Sequence, residues 1–401
     1  MDHLLQISKQ TFWQILGKIV TSISTFLILG IVARNFKESG TGVFTLTLTY
    51  LGIFYLLSDF GFNAHELKVT QNSKVKSQNE NWQRLLGTRL IWSGLLVFLA
   101  LALLPFLPFA MTSFSVSVIF GSLAIIASSV FITGNLIFQK RLRYDLSVLS
   151  SSIGTLSSLL LFFYLSQSKV MIPFLLIAHL VGWIVMALTS LLLVKKFINS
   201  IVPIFDFRYI INLLKDCWPI AATLVLNVVY FRADAFIVTS YKGLADAGIY
   251  NIAYSIFQAI LVLPTFIMNA YYPLMLKSLE KLKLVAVFLV TLGLLAAISI
   301  YLSAPLIIKL VTGKGFLGSS QSLQILSLGF PAFFLSSLLM WMLVTKGHYK
   351  RMLLIYLIGL FFNLILNFYF IPYYTYYAAS WITVISEYLI LALQVMVLSR
   401  L

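Results

Sequence analysis

Apolar residues come in runs of about 20, separated by short polar gaps from one end of the chain to the other. Wound as a helix, a run of that length crosses the roughly 30 Å hydrocarbon core of a bilayer. The pattern predicts an all-α polytopic membrane protein with about twelve transmembrane helices. The first six lie near Phe12–Ala33, Gly42–Phe62, Leu85–Leu107, Phe114–Phe138, Leu146–Leu165 and Met171–Val194. The second six lie near Trp218–Thr239, Gly248–Tyr272, Leu284–Ala304, Leu323–Leu343, Met352–Ile371 and Ser380–Leu398. Residues 1–194 and 217–401 are thus expected to form two six-helix lobes. In the connection 195–216, Phe207, Ile210, Ile211 and Leu214 recur at helical spacing, with Arg208, Asn212 and Lys215 as the polar members. That spacing predicts a short amphipathic helix lying on the inner membrane surface.

The two halves also match each other. Under a shift of 206 residues Gly42 falls on Gly248, and Phe60, Asn63 and Ala64 fall on Phe266, Asn269 and Ala270. An even number of spans per half gives both the same orientation, which is a parallel repeat of the kind transporters use around a central site.

Charge fixes the expected orientation. Of 28 Lys and Arg, 19 fall in alternate gaps and termini: Lys9; Lys68, Lys74, Lys76 and Arg84; Lys140, Arg141 and Arg143; Lys195, Lys196, Arg208 and Lys215; Lys277, Lys281 and Lys283; Lys346, Lys350 and Arg351; and Arg400. Only Arg34, Lys37, Lys169, Lys242, Lys309 and Lys314 fall in the others. By the positive-inside rule both termini are cytoplasmic. The composition agrees: 60% hydrophobic, 10% charged, with mean hydropathy +0.98. The net charge of +16 tracks topology, so nucleic acid is not an expected partner. The first run lacks a short core followed by a small-residue cleavage site, so it is expected to be retained. The single cysteine, Cys217, rules out an internal disulfide and reads as a packing residue.

Enzyme signatures are missing from the sequence. It has no HExxH, no GxSxG and no Cys/His set at metal spacing. Gly313-Lys314-Gly315 lacks the rest of a phosphate-binding loop and reads as a turn. His3, His65, His179 and His348 are scattered, and a lone intramembrane histidine such as His179 reads as a hydrogen-bonded packing residue. Tyr373, Tyr374, Tyr376, Tyr377 and Trp381 read as an interfacial aromatic belt.

The informative polar residues are those inside the spans. Lys18, Arg89 and Arg232 are the three cations there, and Asp59, Asp234 and Glu387 the acids. An Arg or Asp at a helix centre costs about 2.5–3.5 kcal/mol on insertion scales, so each should face a wet cavity or a partner. Arg232 is too deep to snorkel, whereas Arg89 is placed either to snorkel or to serve a site. Asp234 stands two residues from Arg232 and cannot face it along one helix side, leaving it a counter-ion to another span or a protonatable group. Asp59, near an inner end, reads as a partner or cap, and Glu387 shows no obvious partner. Asn227, Asn251, Gln258 and Asn269 gather in the seventh and eighth spans, as interhelical hydrogen-bonding groups or as the polar lining of a lumen.

Several stretches resemble the O-antigen and polysaccharide flippases (Wzx-type) of the multidrug/oligosaccharidyl-lipid/polysaccharide exporter superfamily. They are FRADAFIVTSYKGLADAGIYNIAYSIFQ at Phe231–Gln258, the opening FWQILGKIV…GIVARNF…GTGVF, SDFGFNA at Ser58–Ala64, and TGKGFLGSSQSLQILS at Thr312–Ser327. The resemblance extends over the whole chain. It implies a two-lobed helical transporter of the bacterial inner membrane, moving an undecaprenyl-diphosphate-linked oligosaccharide to the outer leaflet by alternating access. On that reading Arg232, Lys18 and Arg89 supply a cationic cavity for the pyrophosphate. Asp234 and Asp59 are coupling or counter-ion candidates, and Asn227, Asn251 and Gln258 line a polar lumen. No cofactor is implied beyond a coupling proton or sodium ion; other polysaccharide-assembly proteins are candidate partners. The alternatives are a drug/cation antiporter of the same superfamily, which calls for an acidic cavity, and a membrane polysaccharide polymerase. Short outer gaps, the longest near Pro305–Gln324, speak against the polymerase.

Overall fold

A computed structural model of the chain describes residues 2–69, 75–109, 112–168, 170–276, 278–313 and 315–400. Several residues placed by the topology and lumen readings, Lys74, Lys169, Lys277 and Lys314, lie outside the described residues, as do the side chains of Lys9, Lys68, Lys76, Asn227 and Asn269. Among the described residues 89% are helical and none is in a strand.

The helices are α1 (Asp2–Asp59), α2 (Phe62–Val69), α3 (Val75–Ala102), α4 (Thr112–Ser122), α5 (Ala124–Lys140), α6 (Tyr144–Gln167) and α7 (Ile172–Val194). After an extended stretch come α8 (Phe207–Ile260), α9 (Val262–Met275), α10 (Leu282–Thr312), α11 (Leu317–Ser327), α12 (Phe330–Thr345) and α13 (Tyr349–Ser399). Among the described residues nine helical stretches are long and apolar enough to cross a membrane, or ten with the bent α11–α12 pair taken as one. Three helices are broken by one non-helical residue each: α1 at Lys37 (φ 56°), α8 at Gly243 (φ 85°) and α13 at Thr375 (φ 57°).

The element order repeats. Moving α4 and α5 by the same 206 residues places them on α11 and α12 to within one residue at every end. The break at Lys37 lands on the break at Gly243, with matching backbone angles (ψ −162° and −176°). Residues also meet their own counterparts. The backbone at Gly42 presses against Leu244, that at Gly248 against Glu38 and Gly42, and Asn251 Nδ2 donates to Thr45 Oγ1 at 3.1 Å. A Cβ at Gly42 or Gly248 would collide with backbone atoms, so these positions require glycine for the helices to cross so closely.

Positive φ at Lys37 and Gly243 differs in cost. A side chain in that region is strained by about 1–3 kcal/mol, and glycine is not. Open space surrounds a Cβ built at Gly243, so conformation and not collision decides the outcome there. Gly243→Ala should therefore lower the apparent unfolding temperature, and Lys37→Gly should leave it unchanged or raise it. Thermal unfolding of the detergent-solubilised variants checks both.

Two compact units emerge. The first comprises Met1–Asn35 and Leu46–Val228, the second Phe36–Thr45 and Val229–Leu401. The first has a core at one end built from Phe62, Trp82, Leu85, Phe138, Val194, Leu213 and Cys217, with Trp82 Nε1 donating to the Thr133 carbonyl at 2.9 Å. Cys217 is a buried member of that core. His179 is likewise a packing residue: the Tyr55 hydroxyl (2.9 Å) and the Trp183 indole N–H (3.1 Å) both meet Nε2. The indole can only donate, so Nε2 is the acceptor and the ring proton sits on Nδ1.

The connection between the halves departs from the sequence expectation. Residues 206–215 do not form a separate surface helix. Asp206 caps α8, its Oδ1 accepting the Tyr209 N–H at 3.0 Å, and the helix runs on without interruption through Asp216. The extended stretch before it is fastened to α3 by Ile204 N–H to the Gln83 carbonyl (3.0 Å) and Gln83 Nε2 to the Val202 carbonyl (3.0 Å). Tyr209 donates to Glu66, and Arg84 and His65 pair with Asp206 (3.7 Å) and Asp216 (3.5 Å). The start of α8 is thus the repeat counterpart of the start of α1, which explains why it is one long helix. Between α5 and α6, Arg143 grips Asp145 with two nitrogens (2.9 and 2.8 Å), which holds the guanidinium above its ordinary range.

Candidate cation site and its surroundings

Arg232 sits in the first arm of α8, half-buried. The chain reverses at Gly243, and the second arm presents Tyr254 and Gln258 on successive turns. The guanidinium lies 5.3 Å from the centre of the Tyr254 ring, and Nη2 donates to Gln258 Oε1 at 2.7 Å. Both partners are neutral. None of the ion pairs among the described residues involves Arg232. A cation held this way is fixed in position while its charge stays uncancelled.

Asp234 does not neutralise it by contact. That carboxylate is buried and turned away, accepting from the Tyr250 hydroxyl, the Ala235 N–H (2.7 Å) and the Thr383 hydroxyl (3.5 Å). Gln258 is the candidate that the structure brings to Arg232. Asn251 goes elsewhere: it is buried in the glycine crossing against Thr45, so in this structure it lines no open lumen.

Arg89 is also turned inward. It is 0% exposed, so it neither snorkels nor presents its charge to an open surface. One nitrogen, Nη2, reaches both Asp59 Oδ1 and Asn63 Oδ1 at 2.7 Å, and the ring of Phe62 lies 5.5 Å away. The charge is spent inside the first unit on Asp59, whose side chain is 31% exposed.

Lys18 differs again. It is exposed on α1, in a stripe with Gln14 and Thr25 at spacings of four and seven, while the neighbouring Gly17 is buried against Val148. Thr21 and Thr25 return their hydroxyls to the helix carbonyls of Gly17 (3.0 Å) and Thr21 (2.8 Å). Lys18 belongs to the first compact unit and Arg232 to the second.

Sequence reasoning passed over a buried polar spine in the second unit. Asn367 donates to Asn363 (2.8 Å) and Asn363 to Ser386 (3.2 Å); next along, Glu387 accepts from Tyr230 at 3.2 Å. The signal was present: Asn363 and Asn367 are one turn apart in an otherwise apolar span, and Glu387 is an intramembrane acid.

The apolar helices, with a repeated element order and cations within the spans, define a polytopic membrane protein. Residues 7–279 match the family described as Polysaccharide biosynthesis protein, and the chain belongs to that family. A protein of Shigella dysenteriae assigned as an O-antigen transporter is 27% identical over 273 residues, covering 65% of this chain and 68% of that one. Among solved structures, the fold is similar to lipid II flippase MurJ in an inward closed conformation (TM-score 0.78, 15% identity, 97% of this chain and 87% of that one). It is also similar to an inward-facing multidrug resistance MATE family transporter of the MOP superfamily (TM-score 0.76, 13% identity, 95% of each chain). At those identities the likeness is one of fold.

Proposed function

We propose that the protein is a flippase for a lipid-linked polysaccharide repeat unit, moving an undecaprenyl-diphosphate-linked oligosaccharide from the inner to the outer leaflet of the bacterial inner membrane by alternating access. The observation that carries this reading is Arg232, held by Tyr254 and Gln258 with no carboxylate in contact. An uncancelled cation at depth suits a pyrophosphate, whose charge cannot enter hydrocarbon unaided. Lys18, exposed on α1 of the first unit, is a further candidate for the anionic group. The family and the Shigella relative support the polysaccharide assignment. The breaks at Lys37, Gly243 and Thr375 split three long helices, which supports twelve spans with both termini inside. Coupling to a proton or sodium gradient, with Asp234 or Asp59 as the responding acid, and contact with other assembly proteins belong to the same proposal.

Deletion tests it. Lipid-linked repeat units should accumulate on the inner leaflet, and surface polysaccharide should disappear, in a strain with no second flippase. Unchanged surface polysaccharide would reject the reading. Sensitivity to cationic dyes with normal polysaccharide would point to a drug antiporter instead.

A further inference from the structure

We propose that Glu387 is a proton-binding site, a carboxylic acid that carries its proton in the state seen here and exchanges it when the polar cluster around it opens. The inference goes beyond the flippase reading and does not depend on it.

Glu387 lies on the second arm of α13 and is 3% exposed. Tyr230 of α8 donates to Oε2 at 3.2 Å, and the hydroxyl of Ser336, from α12, lies beside the carboxyl. Among the described residues the titratable groups that interact with it are Tyr230 and Tyr254 from the two arms of α8 and Tyr356 from the first arm of α13, with Arg232 and Asp234 of α8 on the far side of Tyr254. The helices α11 and α12, which also pack against α13, contain no charged residue. No Lys, Arg or His lies within 4 Å of Glu387 among the described residues. An ionised carboxylate buried without a cation costs several kcal/mol, whereas the neutral acid costs no more than its own hydrogen bonds.

Asp234 in the same unit gives the contrast. Three donors converge on it, whereas the carboxyl of Glu387 has only the Tyr230 and Ser336 hydroxyls beside it.

Gln394 supplies a second observation. It is fully buried two helical turns beyond Glu387, with its side-chain amide in hydrogen-bonding reach of the Tyr356 hydroxyl. Ser336, Tyr356 and Gln394 form a polar step from Glu387 toward the C-terminal end of α13. In the exchange the carboxyl O–H bond breaks and the proton is taken up by water admitted to the polar cluster as it opens.

Infrared difference spectra of the purified full chain in lipid nanodiscs, acid against alkaline buffer, test this. The wild type should lose a protonated-carboxyl C=O stretch on alkalinisation. Glu387→Gln should lack that band, and Asp234→Asn should keep it. Tyr230→Phe removes the donor but keeps the acid, so it should retain the band and move it to higher wavenumber. That variant decides the matter should Glu387→Gln fail to fold. A full-strength band in Glu387→Gln, or an unshifted band in Tyr230→Phe, would overturn the proposal. So would a band change driven by sodium at constant pH, which would make the site a metal-cation site.

Discussion

Arg232→Ala should reduce export of the lipid-linked glycan by on the order of 100-fold while the protein stays at normal abundance in the membrane. Losing one partner of a desolvated, hydrogen-bonded charge pair costs about 2–5 kcal/mol, and the middle of that range corresponds to a loss of that size. Arg232→Lys should keep part of the activity. Lysine retains the point charge but loses the planar fork that can hold Gln258 and a phosphate oxygen together. Because no ion pair is broken, neither variant should unfold the protein: the partners left behind are an amide and a tyrosine ring, not a buried charge. The measurement is surface polysaccharide in a complemented deletion strain, normalised to membrane-bound protein. Equal export by the alanine and lysine variants would remove Arg232 from substrate handling.

What the sequence could reveal, and what it could not, follows from the range of the interactions involved. The spans were legible because burial in hydrocarbon acts on every residue of a run. The repeat was legible at Gly42 and Gly248 because a close backbone crossing admits only one residue type. The break at Gly243 carries the same kind of mark, but its counterpart at Lys37 is hidden by a side chain that tolerates a strained φ. The beginning of α8 misled because its polar residues suit a membrane surface equally well. What makes it one helix is the Asp206 cap and the absence of a breaker before Pro219, together with tertiary bonds to Glu66, Arg84 and Gln83. The intramembrane charges were legible as a set, but their partners were not. Pairing joins residues far apart in sequence, as Tyr230 joins Glu387, and no local pattern encodes that choice.

Arg89 and Asp59 show the consequence most clearly, because their two single mutants should differ. Asp59→Ala leaves Arg89 buried with the Asn63 amide as its remaining side-chain acceptor, along with a 3.4 Å contact to the Ser58 carbonyl. An uncompensated buried charge of this kind costs about 3–5 kcal/mol. Arg89→Met leaves Asp59, whose side chain keeps contact with solvent and so loses less. The apparent unfolding temperature should therefore fall further for Asp59→Ala than for Arg89→Met, although the arginine is the larger and more buried side chain. The double variant should be more stable than Asp59→Ala alone, since removing the stranded cation removes its penalty; coupling of about 1–3 kcal/mol is expected. Thermal unfolding of the four proteins in one detergent measures this. Additive losses would show that the pair carries no mutual stabilisation. Asp59→Asn separates architecture from transport: if it folds like the parent yet exports nothing, the carboxylate acts in the transport cycle, and if it exports normally, its charge is there to hold Arg89.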